Sequence, residues 1–217
     1  MTETSPVCTM GRLKGSQRDL DREARIERKT SQGRTIYGVE MKIVDEAGER
    51  LPRDGKSAGE LRVHGPWVLG RYFEDEAATR AAIDGEGWLR TGDVATHDED
   101  GYVRLVDRTK DMIKSGGEWI SSIEIENAAV GHPDVAEAGV IGLPHAKWGE
   151  RPLLVVVPKE GTAPSRERIL AYLSERLVKI AVPDDVAIVA ELPHTATGKV
   201  RKTQLREDFK DHKLPTA

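Results

Sequence analysis

From residue 38 to residue 108, the pattern of apolar and polar residues is typical of short strands. The segment GVEMKIVDEAGERLP places Val39, Met41 and Ile43 on one face and then turns. The segments SAGELRVHG and GYVRLVDR are bounded by glycine and predict two further strands. Between these two segments, EDEAATRAAI predicts a short helix and DGEGWLRTGD predicts a loop. We therefore expect a twisted β-rich region with one helical insertion.

After residue 120 the pattern alternates between strands and helices. Ser121 and Glu124 have the spacing of a capping box, which predicts a helix over residues 122–130. The apolar runs VAEAGVIGL, PLLVVVPK and DVAIVAEL predict three strands. PSRERILAYLSERLVK has an apolar helical face and VRKTQLREDF predicts a terminal helix. This alternation is sufficient to enclose a hydrophobic core of its own.

These patterns predict an α+β protein in three parts. Residues 9–37 are polar and charge-rich, and residues 1–37 are expected to form an arm with a surface helix, in which DLDREARIERKTSQ carries a thin apolar stripe of Leu20, Ala24 and Ile26. A solvated or frayed helix is the alternative for this stretch. Residues 38–108 are expected to form a small, distorted barrel-like β structure, and residues 109–212 a compact α+β domain, with the boundary near residues 107–110.

Composition excludes several classes of protein. The 217 residues carry a formal net charge of -4, which gives no general attraction to nucleic acid. No run of about 18 apolar residues is present, and the N-terminal stretch lacks the apolar core of a secretory signal. A single cysteine, Cys8, excludes an intrachain disulfide and a cysteine-ligated zinc site. A reducing, cytoplasmic location is the expectation.

The first candidate for chemistry is MTETSP at the N-terminus. Thr2, Glu3 and Thr4 place a carboxylate between two hydroxyls, and such hard oxygen donors suit a Mg²⁺ ion that is also bound by phosphates. The alternative is a solvent-exposed terminus without a ligand.

The second candidate is Asp93 in GWLRTGDVA. A carboxylate can accept hydrogen bonds from two vicinal hydroxyls, as in dinucleotide sites. Arg108 could donate to ribose or phosphate oxygens through its several N–H groups. The alternative for Asp93 is an aspartate that ends a turn.

The third candidate is DRTKDMIKSGGEWISS, which begins at residue 107. Lys110 lies where a change of backbone torsion could reorient everything that follows it. Gly116 and Gly117 permit positive φ and a close approach of the backbone to a ligand. An ordinary linker with a glycine turn is the alternative.

The fourth candidate is Lys199 in PHTATGKVRK. A lysine after glycine can stabilise negative charge that develops on a phosphoryl group. A surface lysine in a basic patch is the alternative. No aromatic residues are interleaved with Arg201, Lys202 and Arg206, so the patch does not have the composition of a nucleic-acid site.

The stretch GLPHAKWGERP is interpreted as a polar loop between two strands. Its His145 has no metal-ligand spacing, and none of the six histidines forms a recognisable pair with a nucleophile.

Taken in order, these motifs resemble the adenylate-forming superfamily. MTETSP, GELRVHGPWVLGRYF, GWLRTGD, DRTKDMIKSGGEWISSIEIEN and PHTATGKVRK follow one another as they do in bacterial medium- and long-chain fatty-acyl-CoA synthetases. The resemblance extends from Met1 to about Phe209. It implies ATP-dependent conversion of a fatty acid to an acyl-adenylate, then transfer of the acyl group to CoA. It also implies a small C-terminal lid domain that rotates between the two half-reactions.

The resemblance also implies a role for each candidate residue. Thr2 would contact phosphate and Glu3 would bind Mg²⁺, while Asp93 and Arg108 would hold the ribose. Lys110 would be the hinge, Gly117 would lie beside the CoA pantetheine, and Lys199 would bridge the carboxylate and the α-phosphate.

One departure from the family pattern shapes the expectation for activity. The Ser/Thr/Gly-rich phosphate loop of the family would lie upstream of MTETSP. The sequence therefore predicts the C-terminal part of a synthetase that begins at an internal methionine and is inactive alone, since a single lysine cannot replace backbone donors of that loop. Because residues 1–37 would pack in the family against structure upstream of this sequence, the resemblance also implies that the N-terminal arm is mobile here. Complementation by an N-terminal fragment is one expectation. A non-catalytic remnant or ligand-binding module is the alternative.

Overall fold

The computed structural model describes residues 1–196 and 198–216 and divides the chain into two compact units. The first unit is Met1–Thr109 and the second is Lys110–Ala217. The fold is α+β, as predicted. Among the described residues, none of the helices has the length and apolar composition of a membrane span.

The first unit is built on a four-stranded antiparallel sheet. Its strands are β3 (Glu40–Val44), β4 (Gly59–His64), β5 (Leu89–His97) and β6 (Val103–Arg108), which pair in that order. A short helix, α2 (Glu76–Ala82), lies between β4 and β5 in the chain. The sheet is open in the described part of the chain, since its outer strands β3 and β6 do not pair with each other. The expected barrel-like structure is thus an open sheet.

The strand predicted here is confirmed as β3, but its burial does not alternate, because Lys42 and Val44 are buried as well as Met41 and Ile43. Met41 and Ile43 are buried and pack with Leu61 and Val63 of β4 in one cluster. Burial of side chains of this size typically contributes about 1.5–3 kcal/mol each, which fixes the register of the strand pair.

The loop predicted for residues 84–93 is wrong in its second half, because β5 begins at Leu89. Two features hide this strand in the sequence. Gly92 has a φ of 70°, and the register shifts between Val94 and Ala95. A bulge of this kind breaks the period of two on which strand prediction depends.

Residues 1–37 form short elements against the four-stranded sheet. Strands β1 (Thr9–Met10) and β2 (Arg34–Thr35) pair with each other, and helix α1 (Arg22–Thr30) lies between them in the chain. No residue of α1 is buried, and Ile26 is 52% exposed, which agrees with the solvated alternative for this helix. The carboxylate of Asp21 caps α1 by accepting from the backbone N–H of Ala24.

The N-terminal segment is also tied to the sheet by polar contacts, in contrast to the mobile arm expected from the sequence. Arg28 pairs with Asp98 and with Asp100. The backbone N–H of Gln32 donates to the carbonyl of Val103 over 2.9 Å. The structure therefore gives this segment partners within its own unit.

The second unit is a five-stranded sheet with helices on both faces. Its strands are β7 (Ile113–Ser115), β8 (Glu118–Ile120), β9 (Val135–His145), β10 (Gly149–Pro158) and β11 (Asp185–Ile188). The central strand β10 pairs antiparallel with β9 and parallel with β11.

Helices α3 (Ser122–Val130) and α4 (Arg166–Ser174) bury Ile125 and Ile169 in the same cluster as Leu154 of β10. Helix α5 (Lys202–Asp208) buries Leu205 with Leu153 in a second cluster. Because alternate residues of β10 enter different clusters, its run of apolar residues is continuous. The predicted limits of α3 are confirmed, and Ser121 caps it by accepting from the N–H of Glu124 over 3.2 Å.

The polar loop predicted for GLPHAKWGERP is wrong. Strand β9 continues to His145 and β10 begins at Gly149, so the two strands form a hairpin with a three-residue connection. The polar residues of the hairpin are accommodated because they have partners. The Nδ1 atom of His145, for example, accepts from the N–H groups of Lys147 and Trp148.

Candidate functional site

Asp93 and Arg108 are brought together in the first unit. They occupy paired positions of β5 and β6, and Nη1 of Arg108 donates to Oδ1 of Asp93 over 2.5 Å. The Asp93 side chain is 19% exposed and that of Arg108 is 52% exposed. No second side-chain partner of the Asp93 carboxylate is recorded within the described ranges 1–196 and 198–216. One carboxylate oxygen therefore remains for a ligand.

The turn that carries Asp93 is held by Thr91. The Thr91 hydroxyl donates to the carbonyl of Leu61 over 2.8 Å and accepts from the N–H of Asp93 over 3.1 Å. The N–H of Thr109 donates to the carbonyl of Gly92 and closes the end of β6 on the same turn. These bonds fix the backbone on both sides of the Asp93–Arg108 pair.

The N-terminal motif forms a single 3-10 turn over Thr2–Thr4. Thr2 is exposed, whereas Thr4 is buried and its hydroxyl donates within the turn. The backbone carbonyl of Glu3 accepts from the N–H of Leu69, and its side chain accepts from the hydroxyl of Tyr72 over 3.2 Å. Burial, together with the charge and hydrogen bond of Glu3, raises the pKa of Tyr72. Tyr72 therefore stays protonated and orients the Glu3 carboxylate, a role that sequence analysis missed.

The structure does not join the N-terminal motif to the Asp93–Arg108 pair by a hydrogen bond or an ion pair among the described residues. Nor do the described residues contain a cluster of three or more metal-binding side chains. Glu3 alone can supply one carboxylate to Mg²⁺, an ion that commonly takes its other ligands from phosphates and water.

In the second unit, Gly116 and Gly117 form the two-residue turn between β7 and β8. Their φ values are 60° and 88°, as a primed hairpin turn requires. The ring of Trp148 covers Gly116, and a Cβ atom there would lie 2.7 Å from it. A Cβ atom on Gly117 would meet nothing within 4 Å. The backbone is therefore open to a ligand at Gly117 and closed at Gly116.

A cavity of about 470 Å³ lies in the first unit, and a larger one of about 730 Å³ lies in the second. The larger cavity is lined by the ring of Trp148 and by Lys147, Lys179 and Ile180, among others. Arg151 also lines this cavity; it is 9% exposed and donates to Asp184, Ser115 and two backbone carbonyls. An aromatic ring beside two lysines suits a ligand with both apolar and anionic parts.

Lys199 lies in a closed turn. The N–H of Thr195 donates to the carbonyl of Lys199 over 2.8 Å, and His194 and Val200 form a β-bridge. The Lys199 side chain is exposed, and no ion pair of its ammonium group is recorded in the part of the chain that the structure describes. Thr197 of the same loop lies outside the described residues. Among the described residues, the Lys199 ammonium group is thus an exposed cation without a recorded counter-charge.

Lys110 opens the second unit with an exposed side chain. Its backbone carbonyl accepts a hydrogen bond from Arg206. The hinge candidate is thus attached to α5, which follows the Lys199 turn.

Comparison with known families accounts for both units. The AMP-binding enzyme family matches residues 1–73, and the AMP-binding enzyme C-terminal domain matches residues 124–199. The chain belongs to the adenylate-forming superfamily.

Its relatives in this superfamily include CoA ligases. The chain is 51% identical over 211 residues to 3-methylmercaptopropionyl-CoA ligase of Ruegeria pomeroyi. This match covers 97% of this chain and 39% of that protein. It is 45% identical over 213 residues to the long-chain-fatty-acid–CoA ligase of Thermus thermophilus, a match that covers 98% of this chain and 39% of that protein.

A solved structure of the superfamily matches both units. The o-succinylbenzoate CoA synthetase of Bacillus subtilis, in complex with its acyl-adenylate intermediate, is similar with a TM-score of 0.79 and 34% identity. The match covers 95% of this chain and 40% of that one. The chain thus spans about two fifths of the length of these relatives.

Proposed function

We propose that this chain supplies the ribose-binding pair, the hinge and the adenylation lysine of an acid–thiol ligase that acts on fatty acids. The observation that carries the proposal is the presentation of Lys199, whose exposed ammonium group lies on a closed turn without an ion pair among the described residues. The CoA-ligase relatives support this reaction class.

In the first half-reaction, a carboxylate oxygen of the fatty acid attacks the α-phosphorus of ATP, and pyrophosphate leaves. Lys199 stabilises the negative charge that accumulates on the phosphoryl oxygens. The Asp93 carboxylate accepts from the ribose hydroxyls, and Arg108 fixes its orientation and donates to ribose or phosphate oxygens. Thr2 contacts the phosphates.

When bound to the phosphates, Mg²⁺ would neutralise part of their charge. Glu3 is the residue that would hold this ion, with its carboxylate oriented by Tyr72.

In the second half-reaction, the thiol sulfur of CoA attacks the acyl carbon, and AMP leaves with the bridging oxygen. A rotation about Lys110 exchanges Lys199 for the β7–β8 turn at the reacting centre. Gly117 admits the pantetheine chain because a side chain is absent and the space beside it is open. The cavity beside Trp148 and Lys179 offers an apolar wall and cationic groups to the rest of CoA.

A chimera tests the proposal without assuming that the chain acts alone. This chain replaces the matching segment of the T. thermophilus ligase, with which it is 45% identical. The chain alone, the chain mixed with the remaining part of that ligase, and the chimera are each given decanoate, ATP and Mg²⁺. Decanoyl hydroxamate reports adenylation, and the CoA thioester reports the complete reaction.

We expect ATP-dependent hydroxamate and thioester from the chimera, partial activity from the mixture and none from the chain alone. A folded chimera that binds ATP and forms neither product would contradict the proposed reaction and favour a non-catalytic binding module.

A further inference from the structure

Arg206 of helix α5 holds the backbone of the hinge candidate. Its Nη2 atom donates to the carbonyl of Lys110 over 3.0 Å and to Oδ1 of Asp111 over 2.8 Å. Asp111 is 9% exposed, so this carboxylate is largely withdrawn from water. Charge-assisted hydrogen bonds in such a setting are stronger than surface ion pairs, which makes Arg206 a firm attachment between the start of the second unit and α5.

The other end of α5 is attached just as firmly. Nζ of Lys202 lies 2.6 Å from the hydroxyl of Ser122 and 2.8 Å from Oε1 of Glu126, both on α3. The Lys202 and Glu126 side chains are 12% and 19% exposed. Leu205, between the two attachments, is 2% exposed and packs against β9 at Gly139. Helix α5 is therefore a rigid link.

The adenylation lysine of the proposed function lies directly before this link. Lys199 precedes Lys202 by three positions, and the intervening Arg201 donates to the carbonyl of His194 at the opposite side of the Lys199 turn. A displacement of the Lys110–Asp111 backbone must therefore move α5, and with it the turn that carries Lys199.

We propose that Arg206 is a positioning residue. It confines the hinge rotation to the backbone torsions of Lys110, so that the backbone from Asp111 onward and the Lys199 turn move as one rigid body. This inference rests on the proposed function for its catalytic meaning. Without Arg206, torsional freedom extends past Asp111, and the position of Lys199 is no longer fixed by the angle at the hinge. Because an error of about 1 Å at a reacting centre can cost about 100-fold in rate, adenylation is the step most sensitive to this loss.

Two substitutions of Arg206 separate this role from that of an ordinary ion pair. Arg206→Gln removes the charge, whereas Arg206→Lys keeps a charge on a shorter side chain, which is not expected to reach both the carbonyl of Lys110 and the carboxylate of Asp111. The matched control is Lys210→Gln, since Lys210 is near the end of the same region and pairs only with exposed Glu207 in the described residues.

Hydrogen exchange on the chain itself gives the first test and needs no catalysis. In Arg206→Gln we expect exchange at residues 107–113 to accelerate at least about fivefold, with no change in β10, and a smaller acceleration in Arg206→Lys. Unchanged exchange at the hinge, or an equal acceleration in β10, overturns the proposal, because the latter would show general destabilisation.

The chimera gives the second test. We expect Arg206→Gln to lower the adenylation rate at least about tenfold and thioester formation from added acyl-adenylate less than about threefold, with no change in Lys210→Gln. An equal loss in both half-reactions overturns the positioning role. An inactive parent chimera refutes the proposed function instead, and exchange at residues 107–113 then decides alone whether Arg206 fixes the hinge.

Discussion

Nη1 of Arg108 lies 2.5 Å from Oδ1 of Asp93, across directly paired positions of β5 and β6. The two residues are 15 positions apart in sequence and belong to different motifs. A guanidinium group on one carboxylate oxygen orients the other toward a ligand. Because Arg108 is half exposed, the pair contributes little to the free energy of unfolding, and its main effect is to orient the Asp93 carboxylate.

Asp93→Ala should therefore weaken nucleotide binding without unfolding the protein. We expect the KM for ATP of the chimera to rise about 10- to 100-fold, since a charged hydrogen bond contributes about 1.5–3 kcal/mol. Loss of a surface pair should lower the free energy of unfolding by about 0–1 kcal/mol. Glu76→Ala, which removes an exposed pair with Arg80, is the control. An unchanged KM would show that Asp93 does not contact the nucleotide.

Gly116→Ala should destabilise the second unit more than Gly117→Ala. Both substitutions place a side chain at positive φ, which costs about 1–2 kcal/mol. Only Gly116→Ala also forces a contact with Trp148, so we expect a total loss of about 2–4 kcal/mol there. Urea unfolding followed by circular dichroism measures both variants. Equal losses would show that the Trp148 ring moves aside freely.

His97 should make the first unit less stable in mild acid. Its side chain is buried, and burial followed by the positive charge of Arg53 lowers its pKa below 6.5, against partial opposition from Gly101 and Asp98. The unfolded state therefore binds a proton first as the pH falls through 6.5, and stability decreases down to the lowered pKa of the folded state.

Unfolding midpoints between pH 7.5 and pH 5 test this dependence. The slope should be smaller in His97→Gln and unchanged in His64→Gln, which alters an exposed histidine at the end of β4. The same slope in all three proteins would show that His97 is not responsible.

The N-terminal segment should be protected against hydrogen exchange. The N–H groups of Gln32 and Leu105 both have partners across the contact between residues 1–37 and β6. We expect both amides to exchange at least about tenfold more slowly than the unstructured chain. Full exchange of residues 1–37 within seconds would support the mobile arm expected from the sequence.

Part of this fold could be predicted because a helix cap or an apolar–polar alternation specifies an element without information from distant residues. The helix over residues 122–130 begins where Ser121 caps it, and β3 follows from alternation alone. By contrast, the Tyr72–Glu3 hydrogen bond joins residues 69 positions apart, and nothing in either motif indicates it. The sequence predicts a loop for GLPHAKWGERP because that stretch is polar, yet its Arg151 makes four hydrogen bonds inside the fold.

The candidate site likewise has residues that motifs indicate and features that only the fold brings together. Motifs indicated Asp93, Arg108 and Lys199, since their residue types suit the proposed chemistry. The cavity beside Trp148 was not predicted, because it is formed by segments around residues 145–151 and 179–184 that meet only in the fold. Arg206 was considered only as part of a basic patch, whereas its actual partners are Lys110 and Asp111.

The most direct test of the account is the effect of Lys199→Ala on the two half-reactions of the chimera, with Lys159→Ala as an exposed-lysine control. We predict that pyrophosphate release falls at least about 100-fold, while thioester formation from added acyl-adenylate falls less than about threefold. An equal loss in both half-reactions, or no loss in either, would contradict the account.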